Sequence, residues 1–352
     1  MTLSVIQGGP DMRLKSILTA AVAVLLTAGG AHAAEVVTIY SADGLKDGAT
    51  SWYGTQFAAF TKATGIQVQY VEGGSGVVVA RVEKEQSNPQ ADVLVTLPPF
   101  IMKAAEDGVL QPYASPEAAQ VPAASKDAQN RYVAIVNNYM CFIYDSAMMP
   151  HAPKSFADLL GPEFKNKLQY STPGQAGDGT AVMLQVNHAF GGKDAGFDYL
   201  KKLQANNRGP SSSTGRLTAL VNKGELWVSN GDVQMNAAQM ADNPNIRIFF
   251  PAGPDGVRST FALPYYAGLV KGAPHADNGR KLIDFLLSKA AQESVTAVAK
   301  GLPVRTDVTP GDASYKMLSD TMKGVTIWSP DWAAVARDLQ ADVASWHAAT
   351  GS

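Results

Sequence analysis

The sequence has one cysteine among 352 residues, Cys141, and no large excess of charge of either sign. A single thiol excludes an internal disulfide. Because it lies in the apolar stretch 139–144, we interpret it as a buried small side chain and not as a reactive group. The formal net charge is −2, so nothing in the composition indicates nucleic acid or an anionic membrane as a partner. Beyond the first thirty residues, no apolar run reaches transmembrane length.

The first 33 residues have the pattern of an export signal. Arg13 and Lys15 precede an apolar run, 17–26, and small residues follow as far as Ala31-His32-Ala33, which fits the A-x-A cleavage rule. Met12 directly precedes the basic pair, so the start codon is either Met1 or Met12. No cysteine follows the run, which argues against a lipid anchor. We therefore predict a cleaved signal peptide and a periplasmic chain of 319 residues that begins at Ala34 and carries a net charge of −3.

Motifs that carry catalysis are missing. The run 73–77 fails to match the G-x-S-x-G nucleophile elbow at its last residue. It also lacks the third glycine of a dinucleotide fingerprint, and the sequence contains no Walker-type phosphate loop and no H-E-x-x-H. The histidines after the leader are scattered along the chain, at His151, His188, His275 and His347. We predict a protein without enzymatic activity, cofactor or metal site.

Strands and helices alternate through two parts of the chain, which predicts an α/β fold of two lobes. A length of 319 residues suits two domains. In each part the β-α alternation predicts a mixed, mostly parallel sheet flanked by helices. The first part has strands at 36–40, 66–71 and 93–95, and helices at 52–64, 77–86 and 100–107. The second has strands at 168–170, 226–229 and 246–250, and helices at 180–190, 195–205, 215–222 and 234–240.

Two extended segments, 132–144 and 261–270, lack helical periodicity and flank the second part. We expect them to cross between the lobes as a hinge. The predicted lobe 1 is 34–137 with 266–304, and lobe 2 is 138–265. Helices at 277–287 and 290–299 follow, and a helical segment, 305–352, packs on the lobes. Its last helix is predicted to begin at Ser329-Pro330, which resembles an N-cap followed by proline at the first helical position.

Loops rich in glycine and hydroxyl groups stand at the predicted carboxyl ends of strands, where open α/β sheets bind ligands. Such loops before helices leave backbone N–H groups free for an anion. The loops are 41–44, 72–76, 96–99, 171–173 with 177–180, 211–214 and 229–232. Each has an alternative interpretation: an ordinary N-cap, a turn at 73–76, or a linker at 211–214. Their repetition in both parts indicates a binding cleft.

Four stretches resemble the receptors of 2-aminoethylphosphonate import systems, a branch of the type II periplasmic binding proteins that also include iron and polyamine receptors. They are YSADGLKDGATSWYGTQFAAFTKATGI, VEGGSGVVVARVEKEQSNPQADVLVT, TPGQAGDGTA and KGELWVSNGDVQMN. The resemblance covers nearly all of the chain after the leader. EGGSGVVV with GDGTA is more particular to the phosphonate branch than the rest.

The resemblance implies a ligand with a phosphonate at one end and an ammonium at the other. The expected phosphonate donors are Ser75, Gly76, Gly179, Thr180, Ser213 and Thr214. An ammonium needs a carboxylate or an aromatic face. The candidates for it are Asp43, Asp178, Asp232, Tyr139, Tyr265 and Tyr266, although hinge packing is an equal alternative for each tyrosine. Thr96, Ser171 and Thr172 complete the expected cleft.

The resemblance also implies an ATP-driven (ABC) importer whose permease in the inner membrane receives the ligand; we expect the receptor to be a monomer. Three alternatives stay open. Iron receptors of this class often use two adjacent tyrosines in the second lobe, but 227–240 has no tyrosine and Tyr265-Tyr266 comes later. The others are a secreted phosphonate- or phosphate-ester hydrolase and a polyamine receptor.

Overall fold

The computed structural model describes residues 35–46, 50–240 and 242–352. The predicted leader and its cleavage site lie outside these residues. The first elements are β1 Val36–Ala42, α1 Trp52–Thr64, β2 Gln67–Gly73, α2 Ser75–Lys84, β3 Val93–Thr96, α3 Phe100–Glu106, β4 Leu110–Gln111 and β5 Val133–Val136. Next come β6 Met140–Asp145, β7 Leu168–Gln169, α4 Gly177–Ala189, α5 Lys193–Leu203, α6 Gly215–Asn222, β8 Val228–Asp232, α7 Val233–Gln239, β9 Ile246–Phe249 and β10 Ser259–Phe261. The chain continues with β11 Tyr265–Val270, α8 Ala276–Leu287, α9 Lys289–Glu293, α10 Ala313–Thr321, β12 Thr326–Trp328 and α11 Trp332–Thr350.

Two separate mixed sheets define two lobes. In lobe 1 the strand order is β2-β1-β3-β11-β4, and β5 also pairs with β11. In lobe 2 the order is β7-β8-β6-β9. The predicted parallel pairings of β1 with β2 and β3 are present. Fewer pairings are parallel than we predicted, because β11 and β6, which enter from the other lobe, run antiparallel to their neighbours.

The local sequence explains the elements that bring the loops to the cleft. In β1 the neighbouring side chains of Ile39 and Tyr40, which point to opposite faces, are both buried, as expected for a strand covered on both faces. Helix α1 begins where the Ser51 hydroxyl accepts from the Gly54 N–H, and it ends at Gly65 in the left-handed conformation, as predicted. Asp43 therefore directly follows a buried strand.

The two predicted extended segments, 132–144 and 261–270, do cross between the lobes, and each is interrupted at the crossing by a short connection between two strands. The crossing parts are residues 137–139 and 262–264, and they lie side by side: the Leu263 N–H donates to the Asn138 carbonyl at 2.8 Å. A third segment joins them, since Asn137 and Leu302 exchange two backbone hydrogen bonds. Tyr265, the last residue of the predicted lobe 2, instead pairs with Val136 in the sheet of lobe 1. These three adjacent segments form the hinge.

The C-terminal segment differs from the prediction in three respects. It contains a strand, β12, which pairs in parallel with β10, and a helix, α10, that the sequence pattern did not reveal. The final helix begins after Asp331, whose side chain accepts from the Ala334 N–H, and not at Ser329-Pro330. Trp346 on α11 is buried and donates its indole N–H to the Tyr170 hydroxyl of lobe 2. Helix α11 also contacts α3 of lobe 1.

Candidate functional site

Three carboxylates meet between the lobes. Asp43 follows β1 in lobe 1, Asp178 lies in the first turn of α4, and Asp232 ends β8 in lobe 2. Asp43, the most exposed of them, has a relative accessibility of only 9%. The Tyr265 hydroxyl joins the lobes here, because it lies 3.0 Å from both the Asp43 carbonyl and Asp232 Oδ2. We call Asp43, Asp178, Asp232 and Tyr265 the carboxylate cluster.

Asp43 is held by donors from the opposite lobe. Its Oδ2 accepts from the Ser213 hydroxyl at 3.0 Å and from the backbone N–H groups of Thr214 and Gly215, both at 3.2 Å. These groups form the N-terminus of α6, where Thr214 supplies no side-chain cap. Asp43 therefore caps a helix of lobe 2 from lobe 1.

The other two carboxylates differ in how many donors they have. Asp232 caps α7, and its Oδ1 accepts from the Met235 N–H at 2.6 Å. Asp178 Oδ1 is buried and has no hydrogen-bond partner. A buried carboxylate oxygen without a donor is costly, because its lost hydration is not replaced. Asp178 is thus the member of the cluster with an acceptor left to offer.

Burial raises the pKa of all three carboxyl groups. The pKa of Asp232 rises to about 6, although hydrogen bonds from Met235, Asn138 and Tyr265 act against the shift. For Asp178, burial is again the largest cause of a pKa raised well above the usual range, and the charges of Asp232 and Asp43 raise it further. The pKa of Asp43 rises for the same first reason, opposed by the donors of α6. Burial and mutual repulsion thus disfavour the ionised forms, and a cation between the three groups would stabilise them as carboxylates.

A second polar feature lies beside the cluster, where the N-termini of α2 and α4 approach each other. Neither helix has a side-chain N-cap. The buried Ser75 hydroxyl at the start of α2 has no hydrogen-bond partner, and it lies close enough to Gly177 that a Cβ there would be 2.6 Å from it. Gly177 directly precedes Asp178. A free hydroxyl therefore lies beside the first turn of α4, the turn that contains Asp178, and neither helix end there is capped by a side chain.

Several predicted site residues shape the loops instead of facing a ligand. The Thr96 hydroxyl donates to the Ser75 carbonyl, and Thr180 Oγ1 accepts from the Gly174 N–H. Thr172 Oγ1 accepts from the Ser211 N–H, so it ties two loops of lobe 2 together. These three hydroxyls therefore already have hydrogen-bond partners within the protein.

Two more predicted site residues of lobe 2 also contact other residues of the protein. Ser171 bonds with the Thr214 hydroxyl and the Asn230 side chain. Gly179 packs so closely that a Cβ would lie 2.3 Å from the Ser171 carbonyl oxygen. Both residues therefore hold loops of lobe 2 together.

Glycines on α2 let the lobes touch. The Gly76 N–H donates to the Gln175 carbonyl of lobe 2 at 3.0 Å. A Cβ on Gly76 would lie 2.1 Å from the Gly174 carbonyl oxygen, and one on Gly74 would lie 2.3 Å from that of Ser212. The cleft is therefore closed, and Gly76 is a contact between the lobes and not a free anion donor.

The other tyrosines do not join the cluster. Tyr139 lies at the hinge in a groove that it shares with Tyr315 and Leu318. Tyr266 packs edge-to-face on Tyr132, with ring centroids 5.3 Å apart, because neighbours on a strand point to opposite faces. Within the part of the chain that the structure describes, no group of three His, Cys, Asp or Glu side chains is arranged to hold a metal. In the same part, no helix has the length and apolarity needed to cross a bilayer.

Two amides at the cluster were missed by the sequence reasoning. Gln234 Nε2 donates to the carbonyls of Gly44 and Ala299, and Asn138 Oδ1 accepts from the Gln234 N–H at 2.9 Å. These bonds tie α7 to lobe 1 and to the hinge. The only sequence signals for them were that Gln234 follows the predicted loop 229–232 and that Asn138 lies in the predicted crossing segment 132–144.

Comparisons with known proteins agree with this architecture. A family model described as "Bacterial extracellular solute-binding protein" matches residues 88–335. A Salmonella typhimurium protein, provisionally named a 2-aminoethylphosphonate-binding periplasmic protein, is 59% identical over 93% of this chain and 96% of its own length. Two solved structures share the fold, each over 90% of this chain and 99% of theirs. They are the periplasmic binding protein P5PA (22% identity, TM-score 0.78) and AfuA from Actinobacillus pleuropneumoniae with fructose-6-phosphate bound (20% identity, TM-score 0.76).

The family match spans residues 88–335, the Salmonella relative aligns with 93% of the chain, and the two-lobed fold with its interlobe site is consistent with both. This chain belongs to the family of bacterial extracellular solute-binding proteins.

Proposed function

We propose that the protein captures 2-aminoethylphosphonate between its lobes in the periplasm, performs no chemistry on it, and delivers it to the permease of an ABC importer. The observation that carries this proposal is the unpaired, buried Asp178 oxygen in the first turn of α4, together with the free Ser75 hydroxyl that packs against the preceding residue, Gly177. One group suits a cation and the other suits an anion, and the ligand carries both charges on a short chain. The name of the Salmonella relative supports the same ligand.

The ammonium pole of the ligand is proposed to bind Asp178. Asp43 and Asp232 already accept hydrogen bonds from backbone N–H groups, whereas Asp178 has an oxygen without a donor. A primary ammonium has three donors, so it can bond Asp178 and also reduce the repulsion from the other two carboxylates. Tyr265 stays in its role of joining the lobes.

The phosphonate pole is proposed to bind at the N-termini of α2 and α4. Ser75 supplies a hydroxyl donor there, and the uncapped helix ends supply N–H groups. This differs from our sequence-based expectation for Ser213 and Thr214, because in the structure their donors serve Asp43. The phosphonate thus lies near Ser75 and the ammonium near Asp178.

The remaining expectations from the sequence stay proposals of the same kind. We take the leader 1–33 as a cleaved export signal and the receptor as a monomer that uses no cofactor. We place the lobe boundaries between residues 137 and 138 and between residues 264 and 265. The second boundary is one residue earlier than the sequence predicted, because Tyr265 lies in the sheet of lobe 1.

Calorimetric titration tests the proposed ligand. We expect saturable one-to-one binding of 2-aminoethylphosphonate and much weaker binding of phosphate, ferric citrate and spermidine. Preference for ferric citrate would favour an iron receptor, and preference for spermidine a polyamine receptor. Turnover of a chromogenic phosphonate ester would show that the protein is an enzyme.

Replacing Ser75 by alanine tests the phosphonate pole. A hydrogen bond to a charged group contributes about 1.5–3 kcal/mol, which corresponds to a loss of affinity of about tenfold or more. Because ethylphosphonate shares this pole, it is expected to lose as much as 2-aminoethylphosphonate. Ser345→Ala is the control, since its hydroxyl only bonds within α11. Unchanged affinity for both ligands in Ser75→Ala would place the phosphonate elsewhere.

The affinity for the amine is expected to depend on pH in a defined direction. The pKa of Asp232 is raised to about 6, so this group takes up a proton as the pH falls toward 6. Burial raises the pKa of Asp178 as well, so acid favours its protonated form in the same direction. A proton must leave before the ammonium can pair with the carboxylate. At one pH unit below the pKa of the carboxyl group, each proton that must leave lowers the affinity for the amine about tenfold.

Ethylphosphonate provides the reference for this measurement, because it has the phosphonate but no ammonium. Both affinities are expressed for the phosphonate dianion, since the ammonium lowers the second phosphonate pKa of 2-aminoethylphosphonate. The ratio of the two affinities, measured by calorimetry between pH 7.5 and pH 5, is expected to fall toward the acid end. A ratio that does not change with pH would show that the amine does not pair with these carboxyl groups.

A further inference from the structure

The carboxylate cluster spans the cleft, so its charges are brought together only when the lobes close. Asp43 belongs to lobe 1, and Asp178 and Asp232 belong to lobe 2. All three are buried. Closure therefore moves one negative group into a site that already holds two others.

Among the residues that the structure describes, no Lys, Arg or His side chain forms an ion pair with Asp43, Asp178 or Asp232. Their nearest charged neighbours include one another and, for Asp43, Glu72. Burying charge without a partner is strongly unfavourable. The closed arrangement is thus opposed by electrostatic repulsion and by desolvation.

Closure also brings a favourable contact. The Asp43 side chain caps α6 through Ser213, Thr214 and Gly215, and the helix has no side-chain cap of its own at this end. The cap depends on the Asp43 oxygen as an acceptor, whereas the repulsion depends on its charge. An asparagine at this position keeps the first and loses the second.

Resting on the function proposed above, we infer that the ammonium of the ligand triggers closure of the lobes and that Asp43 determines which ligands can do so. A cation placed between Asp43, Asp178 and Asp232 converts their repulsion into attraction, and the α6 cap then forms. An alkylphosphonate without the amine binds at the Ser75 end but leaves the repulsion in place. Only ligands with the amine therefore give the closed form that a permease would distinguish from the open one.

Small-angle X-ray scattering tests this inference through the radius of gyration. In the wild-type protein, saturating 2-aminoethylphosphonate is expected to lower the radius, whereas saturating ethylphosphonate leaves it unchanged. Asp43→Asn is expected to show the lower radius without any ligand. Asp232→Asn, which keeps the cap of α7, is expected to shift in the same direction. Glu163→Gln removes one charge from an exposed position in lobe 2 and should behave as the wild type.

Two results would overturn the inference: full compaction of the wild type by ethylphosphonate, or identical radii of the wild type, Asp43→Asn and Asp232→Asn without ligand. The comparison of the variants without ligand does not depend on which solute the protein binds. If calorimetry showed no binding of 2-aminoethylphosphonate while Asp43→Asn was still compact, the proposed ligand would be wrong and the repulsion between the lobes would stand.

Discussion

Replacing Asp178 by asparagine is expected to weaken 2-aminoethylphosphonate binding at least about a hundredfold. Removing one partner of a buried ion pair costs about 3–5 kcal/mol, and 1.4 kcal/mol corresponds to a tenfold change in affinity. Asp178 has the unpaired oxygen of the cluster, so its charge is the one that the ammonium would compensate most directly. Calorimetry on the purified variant measures the loss.

The comparison with ethylphosphonate makes this test specific. Its affinity is expected to stay the same or to rise in Asp178→Asn, because the ligand has no ammonium and the variant removes a nearby negative charge. Glu163→Gln controls for the change in net charge, since Glu163 is exposed on lobe 2. Equal losses for the two ligands would mean that Asp178 holds the architecture together and does not bind the amine.

Replacing Gly76 by alanine is expected to prevent closure and to weaken binding about 10–100-fold. The added methyl group would lie 2.1 Å from the Gly174 carbonyl oxygen of lobe 2, and overpacking of this kind costs about 1–3 kcal/mol. Gly76 lies within α2, where alanine is favoured over glycine. Lobe 1 should therefore remain folded. Scattering with and without 2-aminoethylphosphonate shows whether the variant still compacts.

Gly311→Ala is the matched control for this substitution. A Cβ at Gly311 would meet nothing within 4 Å, so binding and compaction should equal those of the wild type. If Gly76→Ala bound and compacted like Gly311→Ala, the contact between α2 and the 174–175 loop would have no part in ligand capture.

Much of the fold could be predicted from local sequence patterns. The helix from Trp52 to Thr64 and its end at Gly65 agree with the prediction at every residue, because amphipathic spacing and a left-handed glycine are local signals. The strands around the cleft were also found, with ends that differ from the prediction by at most three residues. The extra strand β12 was missed because its pairing with β10 joins residues far apart in the sequence.

The site was predicted less completely, for a related reason. The loops at the strand ends indicated Asp43, Asp178 and Asp232, and the structure brings them together. The sequence could not reveal that Ser213 and Thr214 donate to Asp43, since that contact joins residues 170 and 171 positions apart and forms only across a closed cleft. Nor could it separate the free hydroxyl of Ser75 from the engaged one of Thr180, because that difference depends on loop geometry.

A crystal structure with 2-aminoethylphosphonate bound tests the central claim most directly. We predict that the amine nitrogen lies about 3 Å from an Asp178 oxygen, that the phosphonate accepts from the Ser75 hydroxyl, and that Asp43 still caps α6. A phosphonate at the N-terminus of α6, with Asp43 displaced and the amine directed to solvent, would contradict it.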